Sequence, residues 1–299
     1  MSATSSKTII LEGAPTAKSI IEDLSIKIKE YTAAGKRKPA LAVFLVGNDH
    51  ASEVYIKNKI RACGDVGIKS QLQHYANNTD QFQIMKALAK LNGDDTIDGI
   101  LVQLPLPSHL STEEILNAIA PDKDVDGLHP YNLGLLFAGR KGLQPCTPKG
   151  IMALLADYKI PIAGKHAVVI GRSNLVGKPI AALLLQQNAT VTICHSKTNN
   201  LPAICKEADI LVVAVGQKQL VDKNWIKPGA CIIDVGIHRQ TDDQGKAKIV
   251  GDVLFDDVKS IAGYITPVPG GVGKMTVAML MANTVFAYEQ HLGVGASFM

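Results

Sequence analysis

KHAVVIGRSNLVGKPIAALLLQQ, residues 165–187, places an apolar run, a glycine-rich turn and an apolar helical pattern in immediate succession. The run His166–Ile170 reads as a buried strand, and Gly171-Arg172-Ser173-Asn174-Leu175-Val176-Gly177 joins it to the helix. A Rossmann-type fold binds a diphosphate at this position. Glycines there permit a tight turn and a close backbone approach, and the helix N-terminus presents free N–H groups. Ser173 stands where GxGxxG has its middle glycine, and Gly177 comes one residue late. The placement of the segment therefore carries more than its pattern, and an ordinary glycine-rich βα turn is the competing reading.

Outward from this segment the same rhythm continues. Further strand candidates lie at Thr190–Cys194, Ile210–Val215 and Cys231–Val235, each separated by a helix-length stretch, which predicts a doubly wound parallel sheet. Before Pro148, apolar runs at Leu41–Val46 and Ile97–Leu104 alternate with helical periods at Ala17–Tyr31 and Ser52–Val66. Turn signals at 34–36, 46–48, 92–94 and Leu104–Ser108 mark the element ends. Beyond the last expected strand, Thr276–His291 reads as a helix able to pack on either half. The fold class expected is α/β: two α/β domains flanking a cleft, the second a Rossmann-type doubly wound parallel sheet. The boundaries expected are 1–147 plus 278–299 for the first domain and 148–277 for the second. A length of 299 residues suits two such domains.

Composition narrows the function classes. A 46% hydrophobic and 19% charged chain with few aromatics is ordinary for α/β proteins and argues against disorder. The net charge of +4 is spread along the chain without a basic run, so no nucleic-acid partner is expected and a small anionic ligand suits it better. Cys63, Cys146, Cys194, Cys205 and Cys231 form no CxxC pair; buried reduced thiols are expected, with no metal site. MSATSSK lacks the apolar core of a signal peptide, and no apolar stretch reaches the ~18 residues of a membrane span, so a soluble, cytoplasmic protein without membrane contact is expected.

The end of the second Rossmann strand, VTICHSKT, bears on the nucleotide. An NAD-specific site usually places Asp or Glu there to accept the ribose hydroxyls. Here stand His195, Ser196 and Lys197, with Arg172 able to reach the same corner, so a 2′-phosphate is favoured and NADP is expected over NAD.

Chemistry-bearing residues also gather in the first half. Ser52, Tyr55 and Lys59, three and four apart in a helical stretch, share one face. A phenol and an amine displayed together can move protons, provided burial or a neighbouring cation lowers the lysine from its reference of ~10.4. A solvated polar face is the bland alternative. Gln103 falls at the C-terminal end of the strand IDGILVQLPLP, where ligands of α/β sheets collect. In Lys123-Asp124-Val125-Asp126-Gly127, Asp126 is the better placed to take two hydrogen bonds from an aminopyrimidine-like edge; turn formation is the alternative for both aspartates.

Taken together these stretches resemble the bifunctional methylenetetrahydrofolate dehydrogenase/cyclohydrolases of the bacterial FolD type. The matching segments are Ser52–Lys59, Val102–Pro107, Asp124–Gly127, Pro145–Pro148, Gly171–Ser173 and Pro267–Gly273, in family order across nearly the whole chain. The resemblance implies NADP-dependent oxidation of 5,10-methylenetetrahydrofolate followed by hydrolysis to 10-formyltetrahydrofolate, serving purine and amino-acid biosynthesis. It implies Lys59 as the proton-handling residue with Tyr55 and Gln103 as partners. Substrate contacts are implied for Ser52, Asp126, Pro269, Gly270 and Gly271. Cofactor contacts are implied for Thr147, Gly171, Arg172, Ser173, Gly177, His195, Ser196 and Ile237, with tetrahydrofolate derivatives as partners and a homodimer as the assembly.

Two departures stand out: Lys274 where the common family form has proline, and Glu12 where it has aspartate before Gly13. Rival readings are an NADP dehydrogenase of another small substrate and a nucleotide-binding module without catalysis. Neither needs Tyr55, Lys59, Gln103 and Asp126 together.

Overall fold

A computed structural model describes residues 7–241 and 247–294. In chain order the elements run β1 (Ile9–Ile10), α1 (Gly13–Ala33), β2 (Ala40–Val46), α2 (His50–Val66), β3 (Lys69–Tyr75), α3 (Gln81–Asn92), β4 (Gly99–Val102), α4 (Thr112–Asn117), α5 (Pro130–Phe137) and α6 (Cys146–Asp157). They continue with β5 (His166–Ile170), α7 (Gly177–Gln186), β6 (Thr190–Cys194), α8 (Leu201–Cys205), β7 (Ile210–Val213), β8 (Cys231–Asp234), β9 (His238–Thr241), β10 (Ala247–Val250), α9 (Phe255–Val258), β11 (Tyr264–Ile265) and α10 (Val272–His291). The chain divides into two compact units, one of residues 17–146 and 277–299, the other of 1–16 and 147–276.

In the unit 17–146, β2 is buried along its whole length between β3 and β4, all parallel, as its unbroken apolar sequence requires. Phe44, Ile84, Leu88, Ile100 and Ile115 pack one face of this small sheet. β3 has no apolar period, because it is an edge strand with most positions exposed, and the sequence reading passed over it. The strand expected over 97–104 is shorter. Its tail leaves the sheet at Gln103, and the Leu104–Pro105 bond is cis. Lys123, buried, donates to the carbonyls of Leu91 and Asp94 at the end of α3, satisfying groups that the helix itself cannot.

The other unit holds a six-stranded, all-parallel sheet ordered β1-β11-β8-β7-β5-β6. Val168, Ile170, Leu211, Val213, Ile232 and Ile265 fill its core. β1 pairs with β11, so residues 7–16 group with this sheet and not with the first domain, to which sequence alone assigned them. A two-residue strand carries no periodic signal, which is why the assignment went astray. The hairpin of β9 and β10 was likewise unforeseen. Asp49 caps α2 by accepting from Ser52 N, and Gly67, left-handed at φ 94°, ends it. All five cysteines are buried and outside any disulfide, and burial pushes the thiols of Cys63, Cys205 and Cys231 up to about 12.

Candidate functional site

Chemistry concentrates at one place in each unit. In the unit 17–146, α2 and the end of β4 bring Lys59 and Gln103 together: Lys59 Nζ donates to Gln103 Oε1 at 2.8 Å. The amide of Gln103 is fixed from its other end, because Nε2 donates to Leu104 O at 2.6 Å while the backbone N binds Phe44 O. Ser52 is 4% exposed and Tyr55 41% exposed on the same helix, so the alternative of a solvated face describes Tyr55 and fails for Ser52.

Asp126 completes this group. Its turn is held by Asp124, whose Oδ2 accepts from His129 N at 2.8 Å and from Asn132 Nδ2 at 2.9 Å. Gly127 is required: its φ is 73°, and a Cβ would lie 2.3 Å from the carbonyl carbon of Gln144. Two further residues, not singled out in the sequence as site residues, support the turn. Asn283 Nδ2 donates to Val125 O and Gln144 O at 2.8 Å each, and Cys146 Sγ donates to Val125 O. The Pro-Cys-Thr-Pro motif was the available signal for Cys146; Asn283, inside the last helix, gave none.

Burial governs the electrostatics. Desolvation lowers the pKa of Lys59, opposed by the negative charge of Asp126 and by Cys146. Desolvation raises that of Asp126, opposed by Lys59 and by a hydrogen bond from Cys146. Asp124 is pushed up to about 6, again by burial, against its hydrogen bonds. A base of reduced pKa, a fixed amide and a desolvated carboxylate can hold a polar heterocycle and move a proton.

In the other unit, Gly171 ends β5 with φ 126°, and a Cβ there would stand 2.3 Å from Ala214 O. A Cβ on Gly177 would stand 2.2 Å from Gly171 O. The loop is thus packed backbone to backbone, as a phosphate cradle must be. The free helix N–H groups expected from the sequence are partly taken. Ser173 Oγ accepts from Val176 N and Gly177 N, and Ser173 O from Lys178 N. The serine hydroxyl in the middle-glycine position thus satisfies two N–H groups at the entry to α7, and Arg172–Leu175 are exposed.

At the end of β6, His195 Nδ1 accepts from Lys197 N at 3.1 Å, which places the proton of the neutral ring on Nε2 as a donor. Ser196 and Lys197 are exposed beside it, and no acid follows the strand.

Pro269, Gly270 and Gly271 follow β11 in this unit, after a cis Val268–Pro269 bond. Gly271 N binds Pro267 O, and Gly13 N binds Gly270 O at 2.9 Å. A Cβ on Gly13 would meet Gly271 O at 2.2 Å, which gives the Leu11-Glu12-Gly13 segment its purpose. Ile237, 51% exposed, reaches to 3.8 Å from where a Gly273 Cβ would be. Thr147 Oγ1 lies 3.0 Å from Thr276 Oγ1, and Lys274 is exposed. The C-terminal ends of β5, β6, β8 and β11 thus carry Gly171–Ser173, His195, Ile237 and the 269–273 loop. Among the described residues, no group of three or more His, Cys, Asp or Glu is placed to hold a metal, and no helix is long and apolar enough to cross a membrane.

Comparison with known proteins bears on both places. Residues 11–126 match the family model described as tetrahydrofolate dehydrogenase/cyclohydrolase, catalytic domain, and residues 145–292 match its NAD(P)-binding domain. The chain is 52% identical over 281 residues to Bifunctional protein FolD 2 of Pseudomonas savastanoi pv. phaseolicola, covering 94% of this chain and 93% of that one. Among solved structures it resembles the bifunctional FolD enzyme of Campylobacter jejuni, with 45% identity, TM-score 0.91, and coverage of 95% and 99% of the two chains. It also resembles the Trypanosoma brucei dehydrogenase-cyclohydrolase complexed with NADP cofactor and inhibitor, with 36% identity, TM-score 0.91, and coverage of 96% and 99%.

Proposed function

The chain belongs to the tetrahydrofolate dehydrogenase/cyclohydrolase family, and from that premise we propose how its residues divide the two reactions. The enzyme oxidises 5,10-methylenetetrahydrofolate to the 5,10-methenyl cation with NADP+ and then adds water to give 10-formyltetrahydrofolate. The observation that carries the assignment is the 2.8 Å bond from Lys59 to Gln103 beside the desolvated carboxylate of Asp126.

Asp126 binds the substrate. A carboxylate stripped of water gains most from an edge that offers two N–H donors, as the aminopyrimidine half of a pterin does. Ser52 lines the same helix face, and Pro269, Gly270 and Gly271 offer backbone to the folate. Lys59 serves the hydration step. Water adds to the methenyl carbon, its oxygen gives up both of its protons in turn, and the bond from that carbon to N5 breaks as N5 takes up one of them; the other is released. Lys59 accepts the proton from the attacking oxygen as a neutral amine. Gln103, locked by Leu104 O, holds the amine in one direction, and Tyr55, one turn earlier on α2, is its partner.

The glycine cradle of Gly171 and Gly177 fits a dinucleotide diphosphate, since a Cβ at either would fill the space backbone must occupy. Bound there, NADP+ supplies the hydride acceptor for the oxidation. Arg172, Ser173, His195 and Ser196 would hold its phosphates, Arg172 and the Nε2–H of His195 supplying donors for the 2′-phosphate, and Ile237 and Thr147 would contact the cofactor as well. Hydride transfer asks the protein chiefly for placement of these groups, not for a base. Arg172→Ala tests this half. NADP affinity is expected to fall about tenfold or more, the worth of a charge-assisted pair, while NAD affinity stays within about twofold. Equal use of NADP and NAD by the wild type contradicts it.

The same reading extends to assembly and place. The outer edge of β6, with Ile193 43% exposed, and Leu185 of α7, 63% exposed, suit a homodimer contact. Five reduced cysteines suit the cytoplasm, where the formyl product feeds purine and amino-acid biosynthesis.

A further inference from the structure

Two buried aspartates cross beneath the nucleotide loops. Asp234, at the end of β8, accepts from Gly236 N and Asp252 N through Oδ1, both at 2.9 Å, and from Val253 N through Oδ2 at 3.0 Å. Asp252 follows β10. Its Oδ2 accepts from Val215 N at 2.8 Å and Gly216 N at 3.0 Å, and its Oδ1 accepts from His238 Nε2 at 2.7 Å. The crossing has no spare room: a Cβ on Gly251 would fall 1.8 Å from Asp234 Oδ2, and one on Gly236 2.5 Å from Asp252 Oδ1.

This arrangement reaches the nucleotide cradle by two routes. The Val215–Gly216 turn, hung from Asp252 Oδ2, directly follows Ala214, whose carbonyl oxygen is the atom against which Gly171 packs. Ile237 lies between Gly236, bound to Asp234, and His238, bound to Asp252. The Asp252 side chain is fully buried and that of His238 one-fifth exposed, so of the side chains of Asp234, Asp252 and His238 the histidine is the one that water reaches. An ionised carboxylate only accepts, so His238 must donate through Nε2. Without that donor, a buried carboxylate is left short of one partner, and the oxygen that holds the 215–216 turn is free to reorient.

We propose that His238 is a positioning residue for the nucleotide site, acting through Asp252 on the 215–216 turn and on Ile237. The proposal rests on the reading that this end of the sheet binds NADP, and it adds to that reading a residue that does not itself touch the dinucleotide.

The test compares His238→Leu, which removes the donor at similar volume, with His238→Gln, whose Nε2 can still reach Asp252. In the full chain, NADP binding is titrated directly, and cyclohydrolase activity is measured on methenyltetrahydrofolate without nucleotide. The Leu variant is expected to bind NADP about tenfold more weakly, with cyclohydrolase activity within about twofold of wild type. The Gln variant is expected to stay within about twofold on both measures. Wild-type NADP affinity in the Leu variant overturns the proposal, as does a Gln variant as weak as Leu. Should the Leu variant not fold, His238→Asn takes its place: polar but too short to reach Asp252, it is expected to show the same tenfold loss, and wild-type affinity in it overturns the proposal. A wild-type enzyme that does not bind NADP at all sinks the underlying reading of the site instead.

Discussion

Lys59→Met is expected to lower cyclohydrolase turnover about a thousandfold while leaving NADP affinity within about twofold of wild type, since positioned acid–base groups are worth about 10²–10⁴ in rate. Methionine keeps the length and apolar stem of lysine, so α2 retains its packing. What is lost is the group bonded to Gln103 Oε1 and the cation that moderates Asp126. Asp126 then has only the Cys146 hydrogen bond to offset its desolvation, so folate binding weakens as well. The sign of the pH dependence follows from the same burial. Desolvation lowers the pKa of Lys59 from 10.5, so its neutral form becomes populated at lower pH than in a free lysine. Because the amine is the base, wild-type cyclohydrolase turnover rises with pH through a Lys59 pKa that burial holds below that of a free lysine. That rising limb is absent in Lys59→Met. Rates on methenyltetrahydrofolate across pH, beside an NADP titration, check both halves; a Lys59→Met enzyme with normal turnover removes Lys59 from the mechanism.

Gly171→Ala is expected to abolish measurable NADP binding and to destabilise the sheet unit by about 2–5 kcal/mol. The range joins the cost of a positive φ for an L-residue with that of overpacking. A new Cβ 2.3 Å from Ala214 O cannot be absorbed by a side-chain rotation, because its neighbour is backbone. Either β5 and β7 shift apart or the loop opens, and the diphosphate cradle is lost in both cases. Gly164→Ala provides the control: its φ is 74°, yet nothing lies within 4 Å of its Cβ. It is expected to cost about 1 kcal/mol and to leave NADP affinity unchanged. Thermal unfolding and nucleotide titration of the pair check the prediction, and a Gly171→Ala protein that binds NADP normally contradicts the cradle.

The Rossmann half was legible because its buried parallel strands read as unbroken apolar runs and its turns as glycine. His166–Ile170, Thr190–Cys194 and the 171–177 loop stand where the sequence places them. Local pattern says nothing about pairings distant in sequence. Ile9–Ile10 joins β11 some 250 residues later, and only that contact reveals its sheet. Tyr55, Lys59 and Asp126 were visible as residue types with a spacing or a turn, but the meeting of Lys59 with Gln103 is a product of tertiary structure. Ser173 departs from the glycine motif in sequence, and the fold shows what its hydroxyl does: it accepts from Val176 N and Gly177 N at the entry to α7. Asp234 and Asp252 were missed altogether. A single aspartate after an apolar run looks like an ordinary strand end, and nothing in the sequence reveals that two such ends cross.

The most direct test follows methylenetetrahydrofolate and NADP+ with the wild-type enzyme, recording NADPH, methenyltetrahydrofolate and 10-formyltetrahydrofolate in one progress curve. NADPH and 10-formyltetrahydrofolate are expected to rise together in equal amounts, with the methenyl cation present only transiently. Accumulation of methenyltetrahydrofolate in step with NADPH, without formyl product, contradicts the role given to Lys59, Gln103 and Asp126.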